Sequence, residues 1–331
     1  MAMDFYNLIF KNLVNLPLVC FLMGIGLAMF KPLMQLPSVI KKTLTPLILF
    51  SIGLKGGGPL VEHALTQSSI FFVIIGFLML WALIQPVISF FILKAFTKID
   101  QVTAAAIAAC FGSISVITFV TAISFLDQLQ INYQSFIIVA IAVMDVPAIV
   151  SGLFLAKDKQ ALKSDTAPSF LALLKQSLMN KAIVAILLGL AVGGVLLSLG
   201  HHKASYHLLS GFKPLLALFL FDMGLSIGSK RKELRSFSWS LSLFGLYMPL
   251  IGGFFGLLMS YLLNLDPGTG TLMAVLCASA SYIAVPAAMK IALPLAKEAL
   301  YLPLSLAMAF PFNIVIGIPL YYYIATLILK N

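Results

Sequence analysis

Residues 104–118 read Ala104-Ala105-Ala106-Ile107-Ala108-Ala109-Cys110-Phe111-Gly112-Ser113-Ile114-Ser115-Val116-Ile117-Thr118. The first half is small and apolar. The second half puts Gly112, Ser113, Ser115 and Thr118 into the middle of an otherwise apolar segment. Serine favours helix N-caps and glycine relaxes the backbone, so the spacing predicts a helix broken near its centre. The restarted half offers free N–H groups and the positive end of its dipole, a place for an anion. A second stretch follows the same plan. Ala274-Val275-Leu276-Cys277-Ala278 leads into Ser279, Ser281 and Tyr282, with Pro286 soon after.

Around these stretches the chain is built for hydrocarbon. Of 331 residues, 61% are apolar and only 10% are charged, against roughly 25% charged in an average soluble protein. The mean hydropathy is +1.07. At about 20 residues per membrane-spanning helix, the apolar residues fill roughly ten spans. The apolar stretches are continuous rather than alternating every second residue, which favours helices over a barrel. Soluble enzymes, disordered chains and secreted disulfide domains are excluded. The three cysteines, Cys20, Cys110 and Cys277, lie within apolar segments and read as small hydrophobes.

Ten apolar segments are expected at 13–30, 37–54, 69–96, 103–126, 134–156, 181–199, 208–228, 237–263, 269–289 and 302–329. The first lacks a basic n-region and a small-residue cleavage site, so it reads as a retained helix. Sixteen of the 21 Lys and Arg fall in or beside alternate loops, including Lys157, Lys159, Lys163, Lys175 and the run Lys230, Arg231, Lys232 and Arg235. Basic loops stay cytoplasmic, so both termini are expected on the periplasmic or extracellular side. The net charge of +10 is explained by this bias and needs no nucleic acid.

The two halves echo each other at a spacing of roughly 165 to 171 residues. Phe50-Ser51-Ile52-Gly53-Leu54 returns as Phe221-Asp222-Met223-Gly224-Leu225. Asp100-Gln101-Val102-Thr103, with Cys110 beyond, returns as Asp266-Pro267-Gly268-Thr269 and Cys277. Gly112 to Ser115 corresponds to Ser279 to Tyr282, and Asp145 falls opposite Asn313. Five spans per repeat turns the second copy upside down, the inverted-repeat plan of secondary transporters. The expected organisation is a five-helix repeat over 1–156, a cytoplasmic linker over 157–180 and an inverted repeat over 181–331.

Asp145, in Val143-Met144-Asp145-Val146-Pro147, sits half-way along its segment. An ionised carboxylate there costs on the order of 2.5–3.5 kcal/mol on insertion scales, so it is expected to be paired, protonated or bound to a cation. Pro147 frees a nearby carbonyl, giving hard oxygens suited to Na⁺ or H⁺; a structural hydrogen bond to a neighbouring serine is the alternative. Asp222 is a second, weaker candidate. Gly56-Gly57-Gly58-Pro59 lacks the Lys-Ser/Thr ending of a phosphate loop and reads as a turn. His201, His202 and His207 read as exposed loop residues. There is no H-E-x-x-H and there are no paired intramembrane aspartates, so the chain is not expected to be an enzyme.

Phe111-Gly112-Ser113-Ile114-Ser115-Val116-Ile117-Thr118, Met144-Asp145-Val146-Pro147-Ala148, Ile52-Gly53-Leu54-Lys55-Gly56-Gly57 and Ile318-Pro319-Leu320 together resemble the sodium-dependent bicarbonate transporter (SBT) family, known from cyanobacteria. The resemblance implies an all-α fold of ten transmembrane helices in two inverted five-helix repeats, with broken helices 4 and 9 crossing at mid-membrane. It also implies a homotrimer in the plasma (inner) membrane, elevator-type Na⁺/bicarbonate symport, and a PII-like cytoplasmic regulator as a partner. By position, Phe111, Gly112, Ser113, Ser115, Thr118, Ser279, Ser281 and Tyr282 would serve the anion. Asp145, Ser115, Thr118 and Asn313 are the candidate Na⁺ ligands. Where cyanobacterial members read Ser-Ser-Ser-Asp, this chain reads Ser279-Ala280-Ser281-Tyr282. A phenol neutral at pH 7 replaces the acid, which leaves sodium stoichiometry open. The alternatives are a carrier of another, organic anion coupled to H⁺ or Na⁺, and a non-transporting sensor or scaffold.

Overall fold

The computed structural model describes residues 4–30, 36–64, 68–156, 181–199, 212–229 and 237–329. The expected linker 157–180, the loop histidines and the basic run 230–235 lie outside the described residues. Among the described residues the regular structure is entirely helical. In chain order the helices are α1 (Phe5–Leu13), α2 (Leu16–Phe30), α3 (Ser38–Ala64), α4 (Ser68–Phe96), α5 (Gln101–Phe111), α6 (Val116–Gln128) and α7 (Asp145–Ala156). Then come α8 (Lys181–Ser198), α9 (Phe212–Ser229), α10 (Trp239–Leu262), α11 (Pro267–Ala278) and α12 (Ala284–Ala292). A last helix, α13 (Glu298–Ile328), carries two π-helical turns at Ser305–Ala309 and Asn313–Gly317. A 3₁₀ stretch, Ser135–Ala142, precedes α7.

Each of the ten apolar segments contains an apolar helix. Among the described residues five helices are long and apolar enough to cross a membrane, or six if the bent pair α1–α2 counts as one span. The shorter apolar helices fall in the remaining segments. Large apolar side chains such as Phe72, Phe91, Phe154 and Phe254 point outward with more than half their surface exposed. A soluble protein does not tolerate apolar patches on that scale, and hydrocarbon does. The interior, by contrast, collects serines and threonines. The chain is a multi-pass membrane protein.

Two bundles are distinguishable by packing. In the first, α2 runs along α9 and α3 along α8. Both crossings rest on glycine. A Cβ on Gly24 would overlap Phe221 O and one on Gly224 would overlap Phe21 O, while Gly53 meets Ile186 O and Gly189 meets Phe50 O in the same way. Backbone-to-backbone approach of this kind is how helices associate in lipid, where no hydrophobic effect drives them together. The repeated Phe-x-x-Gly-Leu motif is thus a crossing motif in both halves: its Phe carbonyl and its Gly both face the partner helix.

The second bundle holds α4 to α7 and α10 to α13 around the span Gln101–Gln128, which is buried along nearly its whole length. Lys55 on α3 ties the first bundle to the second through an ion pair with Asp127 on α6, with its ammonium 5.3 Å from the centre of the Tyr133 ring.

Two expectations need correction. The Gly56-Gly57-Gly58-Pro59 stretch is not a turn, because α3 continues through it to Ala64. A Cβ on Gly57 would overlap Leu190 O on α8, and one on Gly56 would come within 2.6 Å of Ile138 Cδ1. These glycines let helices touch rather than let the chain reverse. The first segment also starts earlier than expected. Helix α1 precedes it, bent 68° from α2, and Asn12 Nδ2 donates to Ile314 O (2.8 Å) and Val315 O (3.3 Å), carbonyls within a π-turn of α13.

Candidate functional site

The two broken helices begin alike. Asp100 N-caps α5 by accepting from Thr103 N at 2.8 Å, and Asp266 N-caps α11 by accepting from Thr269 N at 2.8 Å. Thr103 Oγ1 in turn accepts from Lys297 N (3.1 Å), and Thr269 Oγ1 accepts from Gln134 N (2.8 Å). Each threonine thereby holds the start of the next segment of the opposite half. Burial alone would raise the Asp100 carboxyl's pKa; the Thr103 N–H and hydroxyl and the Lys297 ammonium outweigh it and hold the group below the usual carboxylate range.

From these caps α5 and α11 run inward as buried small-residue helices, with Ala104 to Ala109 fully inaccessible. Small side chains admit close neighbours: a Cβ on Gly256 of α10 would stand 2.6 Å from Ala274 Cα, and one on Gly252 would overlap Cys277 O.

Both helices then stop. After Phe111, Gly112 (φ −84°, ψ −8°) closes the last turn of α5 by donating to Ala108 O at 3.0 Å. Ser115 N-caps α6, its hydroxyl accepting from Thr118 N at 3.2 Å. On the other side Ser279 turns the chain out of helix (φ −74°, ψ 163°) while its hydroxyl donates back to Val275 O at 2.7 Å. Ser281 Oγ accepts from Val285 N of α12 at 3.3 Å.

The breaks meet. Ser281 N donates to Cys110 O at 2.8 Å, satisfying a carbonyl at the frayed end of α5. The Tyr282 hydroxyl lies beside the Ser115 side chain but makes no well-formed hydrogen bond, and neither does the buried Thr118 Oγ1. Buried hydroxyls without partners are uncommon, and each needs an explanation.

Asp145 opens α7 and accepts a hydrogen bond from the Ser113 hydroxyl. The segment around it changes from 3₁₀ to α at this point, so the carboxylate sits at the positive end of a helix dipole. Pro147 falls in the first turn, where its missing N–H breaks no bond. Asn313 holds the matching place in the second half. It opens a π-turn, donates through Nδ2 to Ala278 O at 2.9 Å and accepts from Tyr321 Oη at 3.1 Å. Asp145 accepts from its break; Asn313 donates to its own.

Of the eight residues expected around the anion, Ser115 and Tyr282 lie side by side across the two breaks and Ser281 N reaches Cys110 O. Phe111 differs: its ring packs edge-on against Phe244 of α10, centroids 4.9 Å apart. Gly112 is present for a different reason from the one expected. A Cβ there would overlap the Pro86 ring and come 3.2 Å from Ala82 O, so the missing side chain makes room for α4 rather than for a ligand. Asp222 is buried on α9, in the bundle that carries no break. Sequence reasoning missed Trp81, whose Nε1 reaches toward Cys277 O at 3.5 Å. A lone Trp in an apolar segment gives no signal of such a role.

An all-helical membrane protein with two interrupted helices meeting in its core has the makings of a solute carrier. The chain matches the Na⁺-dependent bicarbonate transporter superfamily over residues 17–326 and belongs to that family. No curated protein is matched by it.

Proposed function

We propose that this protein is a secondary active transporter that takes up bicarbonate together with Na⁺, binding both at the crossing of the two breaks. The observation that carries the reading is the meeting itself: Ser281 N–H on Cys110 O, with Ser115, Thr118 and Tyr282 gathered beside it. A scaffold or sensor has no use for two interrupted helices joined in its core. In this reading the anion lies against the N-terminal turn of α6 and the serine hydroxyls of both breaks. Ser115 and Thr118 serve it with Ser113, Ser279, Ser281 and Tyr282, while Phe111 and Gly112 pack behind it against α10 and α4.

The oxygen set suits a hard cation. Asp145 supplies the charge, Ser115 and Thr118 supply hydroxyls, and Asn313 Oδ1 keeps a second lone pair. A cation and an anion held together partly cancel each other's cost in a low-dielectric core, so the loaded site crosses the bilayer more easily than a half-filled one.

Ten crossings in two inverted halves fit the paired features: matched N-caps, matched threonine bonds and matched glycine crossings. An elevator movement fits the division into two bundles, the one with the breaks sliding against the one built on glycine crossings. The test is uptake of labelled bicarbonate into proteoliposomes. An inward Na⁺ gradient should drive accumulation; uptake unchanged when choline replaces Na⁺ would overturn the coupling, and no bicarbonate uptake at all would overturn the substrate.

A further inference from the structure

Helix α4 carries a polar face that the two breaks do not explain. Gln85 and Ser89 are 1% and 0% exposed, and neither Gln85 Nε2 nor Ser89 Oγ has a hydrogen-bond partner. An amide left unpaired in a protein core is costly, and inside a membrane no bulk water is at hand to relieve it.

The direction in which this face looks follows from its neighbours. At 100° per residue, Gln85 lies on the helix circumference between Trp81 on one side and Ala82 and Pro86 on the other. Trp81 reaches the last turn of α11 at Cys277 O. Ala82 O and the Pro86 ring face Gly112 at the end of α5. The strip between them therefore looks onto the place where the two breaks meet, and Ser89 continues it one turn further.

We infer that Gln85 is a third wall of the anion site, its side-chain amide donating to the bound oxyanion from outside both broken helices. This rests on the reading of the crossing as the anion site. The chemistry fits. The NH₂ group of glutamine offers two donors, and a small oxyanion presents more acceptor oxygens than two helix ends can serve. Among the described residues the lysines nearest in sequence to the broken helices, Lys94, Lys98 and Lys290, stand before α5 or near the end of α12, so neutral donors must do the work. Gln85 sets which anions are accepted: a ligand must offer a lone pair toward α4 as well as toward the breaks.

The experiment compares Gln85→Met and Gln85→Glu with the parent in reconstituted uptake, recording half-saturating concentrations for bicarbonate and for Na⁺ separately, each with the other ion saturating. Ser115→Ala and Ser281→Ala are measured in the same series. Gln85→Met keeps length and loses the donors, so the bicarbonate value should rise about tenfold. Gln85→Glu places acceptors where donors stood and should raise it further. The Na⁺ value should stay at the parent's in Gln85→Met. If the serine variants shift and both Gln85 variants bind bicarbonate like the parent, Gln85 does not touch the anion and the inference fails alone. If none of the four shifts, the crossing is not the anion site and both readings fail. If Gln85→Met raises the bicarbonate and Na⁺ values together, or loses its monodisperse elution, Gln85 is a packing residue and the inference fails.

Discussion

Asp145 concentrates the argument at the level of single residues. A carboxylate in the core of a membrane protein is costly, and here it is held by the Ser113 hydroxyl at the start of α7. Asparagine keeps that acceptor and the shape but removes the charge. Asp145→Asn is expected to elute as the parent does while its uptake loses most of its Na⁺ dependence, the half-saturating Na⁺ rising about tenfold or more. A sodium response equal to the parent's would make Asp145 a structural residue. The comparison with Asn313 sharpens this. The two occupy matching places, yet Asn313 spends its amide closing the end of α11 and bonding Tyr321. Asp145 carries a charge where Asn313 acts as a brace.

At the level of elements, glycine decides which helices touch. Gly24 and Gly26 stand in the same helix two residues apart, but a Cβ on Gly24 would overlap the α9 backbone while one on Gly26 meets nothing within 4 Å. Gly24→Ala should lower the thermal midpoint of the purified protein, with about 1–3 kcal/mol lost to overpacking. Gly26→Ala should leave it near the parent's. Equal effects would mean that the α2–α9 crossing does not depend on backbone contact.

This pair also marks the limit of sequence reading. The breaks were legible, because Gly112, Ser113, Ser115, Ser279 and Ser281 are polar or flexible residues in apolar surroundings. The caps were half legible: the Asp100 and Asp266 echo was visible, but not that Thr103 and Thr269 reach across to the other half. Gly56, Gly57 and Gly58 read as a turn in the sequence but lie within α3: local chemistry cannot distinguish a glycine that bends a chain from one that admits a neighbour. Gln85 stands out as a polar residue beside Pro86 in an apolar segment, but neither it nor Trp81 carries a sign of its role. Their meaning comes from what faces them, and facing is a property of the folded chain.

Across the whole molecule, the account is of two bundles, one built on crossed glycine helices and one holding the breaks, with Lys55 and Asp127 spanning between them. The charge bias predicts an orientation for the assembly. A cysteine introduced at Ser229, the last residue of α9, should resist a membrane-impermeant maleimide in intact cells and react after permeabilisation. Efficient labelling from outside would invert the assigned topology. The central claim is that anion and cation are held together at one crossing. Two ligands that share a site in this way must strengthen each other by the same factor. The most direct measurement is calorimetric titration of bicarbonate into the purified protein in Na⁺ and in choline, with the converse titration of Na⁺ at low and high bicarbonate. The account predicts that Na⁺ tightens bicarbonate binding by about tenfold and that bicarbonate tightens Na⁺ binding equally. A bicarbonate affinity that is the same in both salts would contradict it.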